Sequence, residues 1–225
     1  MDAYLDESGV HEGAAICVIA GYFGSKKALK LLQKRWRQAL SRYGVPMDKF
    51  HAKDLVSNPP SGFFRTWTKS QRDDFANWLG KTIVSCKGAH PISAGIVVAD
   101  FDSFSPEQRR FVTGATLRYG TLKTSGSPSK PYFNPFMWCM RRLACYAPAG
   151  GKVNFFLGVD RPFAEYAKIL LKEIKETPVK VNCKARLGGL VFPLWKWHGH
   201  HCPCNSMAKM AMPHQTGTLP PAAWR

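Results

Sequence analysis

Residues 3–9 read AYLDESG, so that two adjacent carboxylates, Asp6 and Glu7, follow a short apolar run and precede a glycine. Carboxylates that lie close together repel each other, and enclosing them is costly unless a cation neutralises them. A divalent-metal site is therefore the functional interpretation of this stretch. The alternative is a solvated hairpin turn, because Asp, Glu, Ser and Gly are common turn residues.

The apolar patterns around this stretch predict a mixed α/β protein. Residues 14–22 are almost wholly apolar and predict a strand that pairs antiparallel with residues 3–6, in the middle of a sheet covered on both faces. Residues 153–159 predict a buried parallel strand that ends at Asp160. Further strands are predicted at residues 92–99 and 187–192, an irregular segment at 47–62, and helices at residues 25–43, 70–86, 105–119 and 133–147 and from Pro162 onward.

Four pieces of this sequence together resemble the domain of unknown function 3800 family. They are AYLDESG, the apolar strand that ends at Gly21, FHAKDL at residues 50–55, and VDR at residues 159–161. The family occurs in bacteria, phages and mobile elements and is regarded as ribonuclease H-like. The resemblance runs from residue 3 to about residue 192. It implies a ribonuclease H-like α/β fold, with a mixed central sheet that opens with an antiparallel hairpin and is flanked by helices.

The resemblance also implies a catalytic site. In nucleases of this kind, acidic side chains from separate strands hold two Mg²⁺ ions, which activate a water and stabilise the leaving oxygen. The family pattern makes Asp6, Glu7 and Asp160 the metal ligands, with Mg²⁺ or Mn²⁺ as the cofactor. FHAKDL adds His51 and Asp54 as catalytic candidates: His51 to transfer a proton or orient a phosphate, and Asp54 to join the metal shell.

The charge of the chain indicates nucleic acid as the partner. A formal net charge of +17 attracts polyanions through phosphate neutralisation and counterion release. The alternative for a lysine-rich helix face is that it is simply solvated. The basic residues that we predict to contact nucleic acid are Lys27, Lys30, Lys34, Arg37, Lys53, Lys123 and Lys130.

Length and composition predict one soluble domain without a membrane segment. No apolar run reaches the length that spans a bilayer, and the first residues have neither the basic nor the apolar region of a secretory signal. We therefore expect a cytoplasmic protein whose seven cysteines are reduced thiols. The sequence leaves the oligomeric state open.

The C-terminal residues depart from the family pattern. The family ordinarily closes with a helix that carries a leucine-glutamine-x-alanine-aspartate motif, but this chain has no acidic residue after Glu176. We interpret residues 1–192 as the ribonuclease H-like domain and residues 193–225 as an atypical tail, either disordered or translated out of frame, which the coding DNA would decide. Five possible zinc ligands lie within the seven residues from His198 to Cys204, but the Cys-Pro-Cys spacing is too tight for an ordinary structural site, and we do not expect zinc.

The sequence thus favours a metal-dependent nuclease or a related phosphoryl-transfer enzyme. The alternative is a non-catalytic nucleic-acid-binding module, in a phage-defence or mobile-element system. The two differ in what substitution of Asp6 does, because a catalyst loses activity and a binder keeps its affinity.

Overall fold

The computed structural model describes residues 1–113, 117–118, 121–122, 130–148, 151–158, 166–172 and 187–191. Asp160, Lys123 and the predicted tail at 193–225 lie outside the described residues. The assignments made for them from the sequence remain predictions.

A five-stranded mixed sheet forms the centre of the fold, with the strand order β3-β2-β1-β6-β7. Strand β2 is antiparallel to both β1 and β3, whereas β6 is parallel to β1 and β7 is parallel to β6. The structure therefore confirms the mixed sheet and its opening antiparallel hairpin. The strands are β1 Asp2–Ser8, β2 Ile16–Gly24, β3 Ala89–Val97, β6 Val153–Gly158 and β7 Leu187–Val191, and a separate hairpin joins β4 Leu117–Arg118 to β5 Thr121–Leu122.

Helices cover both faces of this sheet. They are α1 Lys26–Arg42, α2 Ala52–Val56, α3 Lys69–Val84, α4 Val98–Ser103, α5 Pro106–Val112 and α6 Phe133–Tyr146, and residues 166–172 are also helical. Short 3₁₀ turns lie at Met47–Lys49 and Gly62–Phe64. No described helix has the length and the apolar character that crossing a bilayer requires.

The helix caps explain where the predicted boundaries were right and where they were wrong. Helix α1 begins as predicted after Ser25, whose Oγ accepts a hydrogen bond from the backbone N–H of Ala28 at 3.1 Å. The helix predicted at residues 70–86 begins one residue earlier, at Lys69, because Thr68 and Gln71 form a reciprocal capping box. The helix that starts at Pro106 ends at Val112, well before the predicted residue 119.

The segment between α1 and α3 is more regular than the sequence predicted. Prolines 46, 59 and 60 mark its limits, but they leave room for the single helix α2 between them. Arg72 of α3 fixes the end of α2, because its Nη1 donates to the carbonyl oxygens of Leu55 at 2.9 Å and Ser57 at 3.1 Å. These carbonyls at the helix end would otherwise lack a partner within the helix.

Alternation along the strands divides the apolar residues between two cores. Strand β2 is buried on both faces, as its nearly continuous apolar sequence predicted. On one face, Leu5, Cys17 and Ile19 pack against Phe136 and Met140 of α6. The other face carries a core that joins β2 to α1, α2 and α3, formed around Tyr22, Leu32, Trp36, Phe50, Leu55 and Phe75.

Candidate metal and nucleic-acid site

Asp6 lies on β1, the central strand of the sheet, near the carboxyl end of that strand. It pairs with Ala20 of β2 and with Gly158, the last residue of β6, and only 6% of its surface is exposed. Because β1 and β6 are parallel, their carboxyl ends meet at the same edge. Residues that end these two strands are therefore brought together here.

Asp160 follows Gly158 by two residues in the sequence and lies outside the described residues. In the described part, β6 ends at Gly158, which pairs in parallel with Asp6. Its role as the ligand from the later strand therefore stays a prediction, and the strand that leads to it has the predicted parallel pairing.

Glu7 belongs to the opposite face of the sheet from Asp6, because successive side chains of a strand alternate. It pairs with Ile19, on the side of the sheet that α6 covers, and it is half-buried. Both carboxylates lie within β1 rather than in the turn that follows. An ion shared by the two would have to lie beyond the end of the strand and not over either face.

Two buried groups beside Glu7 were not identified from the sequence as part of this site. Burial, with a smaller contribution from the charge of Glu7, raises the pKa of the Cys17 thiol to about 12. Burial also raises the pKa of Tyr132 well above its ordinary value, with added contributions from Glu7, Cys17 and Asp6. Both groups remain neutral at physiological pH and lie on the side of the sheet that Glu7 shares.

His51 lies on the same side of the sheet as Asp6. It precedes α2, whose Ala52 and Leu55 belong to the same core as Tyr22, and it is half-buried. Strand alternation places Tyr22 and Asp6 on one face, because Tyr22 and Ala20 are two residues apart on β2 and Ala20 pairs with Asp6. The fold thus brings FHAKDL to the same side of the sheet as the first predicted metal ligand.

Asp54 has a structural role in the loop that follows α2. Its Oδ1 accepts a hydrogen bond from the Ser61 hydroxyl at 2.7 Å, and its carboxylate packs closely against Gly62. A side chain at Gly62 would collide with this carboxylate, and the positive φ of +54° there also favours glycine. The carboxylate of Asp54 is thus in contact with its own loop, whereas its predicted part in a metal shell stays a prediction.

We expect Ser61→Ala to lower the free energy of unfolding by about 1 kcal/mol, because it leaves the half-buried carboxylate of Asp54 without this hydrogen bond. Asp54→Asn should change it by less than about 0.5 kcal/mol, since the amide oxygen can accept the same hydrogen bond. Urea unfolding of the two variants measures both values. A larger loss in Asp54→Asn than in Ser61→Ala would show that the negative charge, and not the hydrogen bond, is what this position requires.

The predicted basic residues lie where a polyanion could reach them. Those on α1 form its outer face, opposite the buried Leu29, Leu32 and Trp36. Lys123 is outside the described residues. The described members of the set, all of them exposed, are Lys27, Lys30, Lys34, Arg37, Lys53 and Lys130.

The donor chemistry of the site suits a hard divalent cation. Asp6 and Glu7 supply carboxylate oxygens, the ligands that Mg²⁺ and Mn²⁺ prefer, and neither thiol nor imidazole is needed. Within the described ranges, no group of three or more possible ligands is assembled. The third predicted carboxylate, Asp160, is outside those ranges, so the residues present fit part of a metal site.

The cysteines provide a check on this arrangement. Burial raises the pKa values of Cys17 and Cys139 to about 12, so their thiolates are scarce at pH 8, whereas Cys145 is exposed. We expect iodoacetamide at pH 8 to label Cys145 in the native protein and to leave Cys17 and Cys139 unlabelled until urea is added. Mass spectrometry of the peptides measures this. Labelling of Cys17 at the rate of Cys145 would contradict the burial of Cys17.

Comparisons of the chain with protein-family models, curated proteins and solved structures find no significant match.

Proposed function

We propose that this chain is a metal-dependent nuclease, or a related phosphoryl-transfer enzyme, of ribonuclease H-like fold and of the domain of unknown function 3800 family. The observation that carries the proposal is the position of Asp6: a buried carboxylate on the central strand, directly beside the end of a parallel strand that leads to a second aspartate. A mixed sheet that opens with an antiparallel hairpin, flanked by helices, supports the proposed fold.

In this proposal each residue has a defined task. Asp6 and Asp160 hold Mg²⁺ or Mn²⁺, and Glu7 reaches the same site from the end of β1. The bound metal supplies activation of a water and stabilisation of the leaving oxygen. His51 moves a proton or orients a phosphate from the Asp6 face of the sheet, and the exposed lysines and arginine of α1 hold the phosphate backbone.

A second function, a nucleic-acid-binding module without chemistry, is favoured by the large positive charge of the chain. Such a module would bind polyanions through phosphate contacts alone, and its affinity would fall steeply as salt is added. A place in a phage-defence or mobile-element system would be compatible with either function.

The test is a cleavage assay on end-labelled single-stranded, duplex and RNA–DNA hybrid substrates, with Mg²⁺, with Mn²⁺ and with EDTA. Cleavage that requires the metal would support the enzyme. Salt-sensitive binding without cleavage of any substrate in either metal would overturn it in favour of the binding module.

A further inference from the structure

A groove of about 640 Å³ opens at the end of the sheet opposite Asp6. It lies between the beginning of β1, the end of β2, the beginning of β3 and one side of α6. The side chains that give it its chemistry are Phe23, His90, Trp138, Arg142 and Tyr146, together with the amino group of Met1.

The α6 wall of this groove presents two large aromatic rings to solvent. Trp138, Arg142 and Tyr146 are spaced by four residues and therefore share one side of the helix. Trp138 is 50% exposed and Tyr146 is 52% exposed. The ring of Tyr146 rests on Phe23, with 5.2 Å between their centroids, and Phe23 in turn contacts His90 at 5.4 Å. The ring of Tyr146 is thus supported from below by the buried ring of Phe23.

The described lining of the groove carries positive groups and no carboxylate. The Arg142 guanidinium lies 5.1 Å from the ring centroid of Tyr146 and donates a hydrogen bond to its hydroxyl at 3.3 Å. The ammonium group of Met1 donates to the carbonyl oxygen of Lys152 at 2.9 Å. A cation held over an aromatic ring beside a second exposed ring complements a phosphate joined to a flat base.

We propose that this groove binds unpaired nucleic acid, with a base stacked on Trp138 and the adjoining phosphate held by Arg142. Stacking is sequence-tolerant because every base has a π-face, and the faces are available in single strands but covered by neighbouring pairs in a duplex. The proposal shares a nucleic-acid partner with the proposed function but needs none of the cleavage chemistry. Asp2 follows Met1 of the groove and lies four residues before Asp6 on β1, which corresponds to roughly 13 Å. Substitutions in the groove should therefore leave the strand end that carries Asp6 and Glu7 intact.

The experiment measures binding of a labelled oligothymidylate, an oligouridylate and a duplex of the same length, in EDTA so that no cleavage occurs. We expect the single strands to bind more tightly than the duplex, and Trp138→Ala to weaken their binding about tenfold. Trp138→Leu, which keeps the apolar bulk, should weaken it similarly, whereas Trp138→Phe should retain most of the affinity. Phe111→Ala is the matched control, because Phe111 is 70% exposed on α5, away from the groove.

Arg142→Gln tests the phosphate contact. It should weaken binding of both single strands, and the number of phosphate contacts calculated from the salt dependence of the affinity should fall by about one. Arg65→Gln, which changes an exposed arginine outside the groove, should have neither effect.

Three results would overturn the proposal: equal affinities of the Trp138→Ala and Phe111→Ala proteins, equal binding of duplex and single strands, or a smaller sedimentation coefficient of Trp138→Ala with unchanged affinity. The last would mean that a second copy of the chain occupies the groove. Because the measurement is made in EDTA, loss of metal-dependent cleavage in another assay would leave its outcome unchanged.

Discussion

Asp6→Asn is expected to reduce metal-dependent cleavage by more than about a hundredfold, exceeding the 10–100-fold that loss of an outer-shell partner of a metal typically costs. Asparagine has nearly the same shape as aspartate but lacks the charge that a divalent cation requires. The buried position of Asp6, between Ala20 and Gly158, leaves little room for another carboxylate to replace it. Initial cleavage rates at several Mg²⁺ concentrations would measure the effect.

Asp2→Asn is the matched control for this experiment. Asp2 is an equally buried carboxylate on the same strand and the same face, but it lies at the opposite end of β1 and accepts a hydrogen bond from Asn154 Nδ2 at 3.0 Å. An asparagine there can still accept that hydrogen bond. We expect Asp2→Asn to cleave at the unsubstituted rate, and equal losses in the two variants would refute a specific role for Asp6.

Retained binding in Asp6→Asn separates the two candidate functions further. An enzyme in which Asp6 holds a metal loses cleavage but keeps its affinity for nucleic acid, because the basic residues are unchanged. A pure binding module shows no cleavage before or after the substitution. Melting temperatures measured alongside would show whether either variant has lost its fold.

The sequence predicted the elements that depend on local patterns. The apolar run of β2 was enough to predict a strand covered on both faces, and the helix predicted at residues 25–43 differs from α1 by one residue at each end. The parallel strand that leads to Asp160 was predicted from its short apolar run, and its parallel direction is confirmed; that it pairs with β1 is a finding of the structure. These signals are local because the spacing of apolar residues and the capping residues both lie within one short stretch of sequence.

Other features depend on contacts that are distant in sequence and could not be predicted in this way. The placement of Tyr132 behind Glu7 results from the packing of α6 on the sheet, and nothing in its neighbouring residues indicates it. Asp6 and Glu7 lie on opposite faces of the sheet because both belong to β1, where successive side chains alternate. The turn predicted from the sequence at Glu7 would not have imposed this alternation. The groove beside Trp138 likewise combines residues that are far apart in the sequence, from Met1 to Tyr146.

Gly21→Ala is expected to lower the free energy of unfolding by about 3 kcal/mol, the upper end of what overpacking typically costs, because the backbone is forced to move. A β-carbon at Gly21 would overlap the carbonyl oxygen of Tyr4 and lie 2.8 Å from its carbonyl carbon and 2.9 Å from the Cα of Leu5. These are backbone atoms of β1 and cannot turn away as a side chain could. The strands would have to separate at the residue next to Asp6, so cleavage should fall as well.

Gly80→Ala provides the matched control, since the same methyl group is added where no atom lies within 4 Å. Gly80 is inside α3, where alanine is favoured over glycine by about 0.5–1 kcal/mol, so this variant should be slightly more stable than the unsubstituted protein. Urea unfolding of both variants tests the expectation. Equal midpoints for Gly21→Ala and the unsubstituted protein would mean that β1 and β2 do not approach as closely as described, and the position of Asp6 between its neighbours would then need revision.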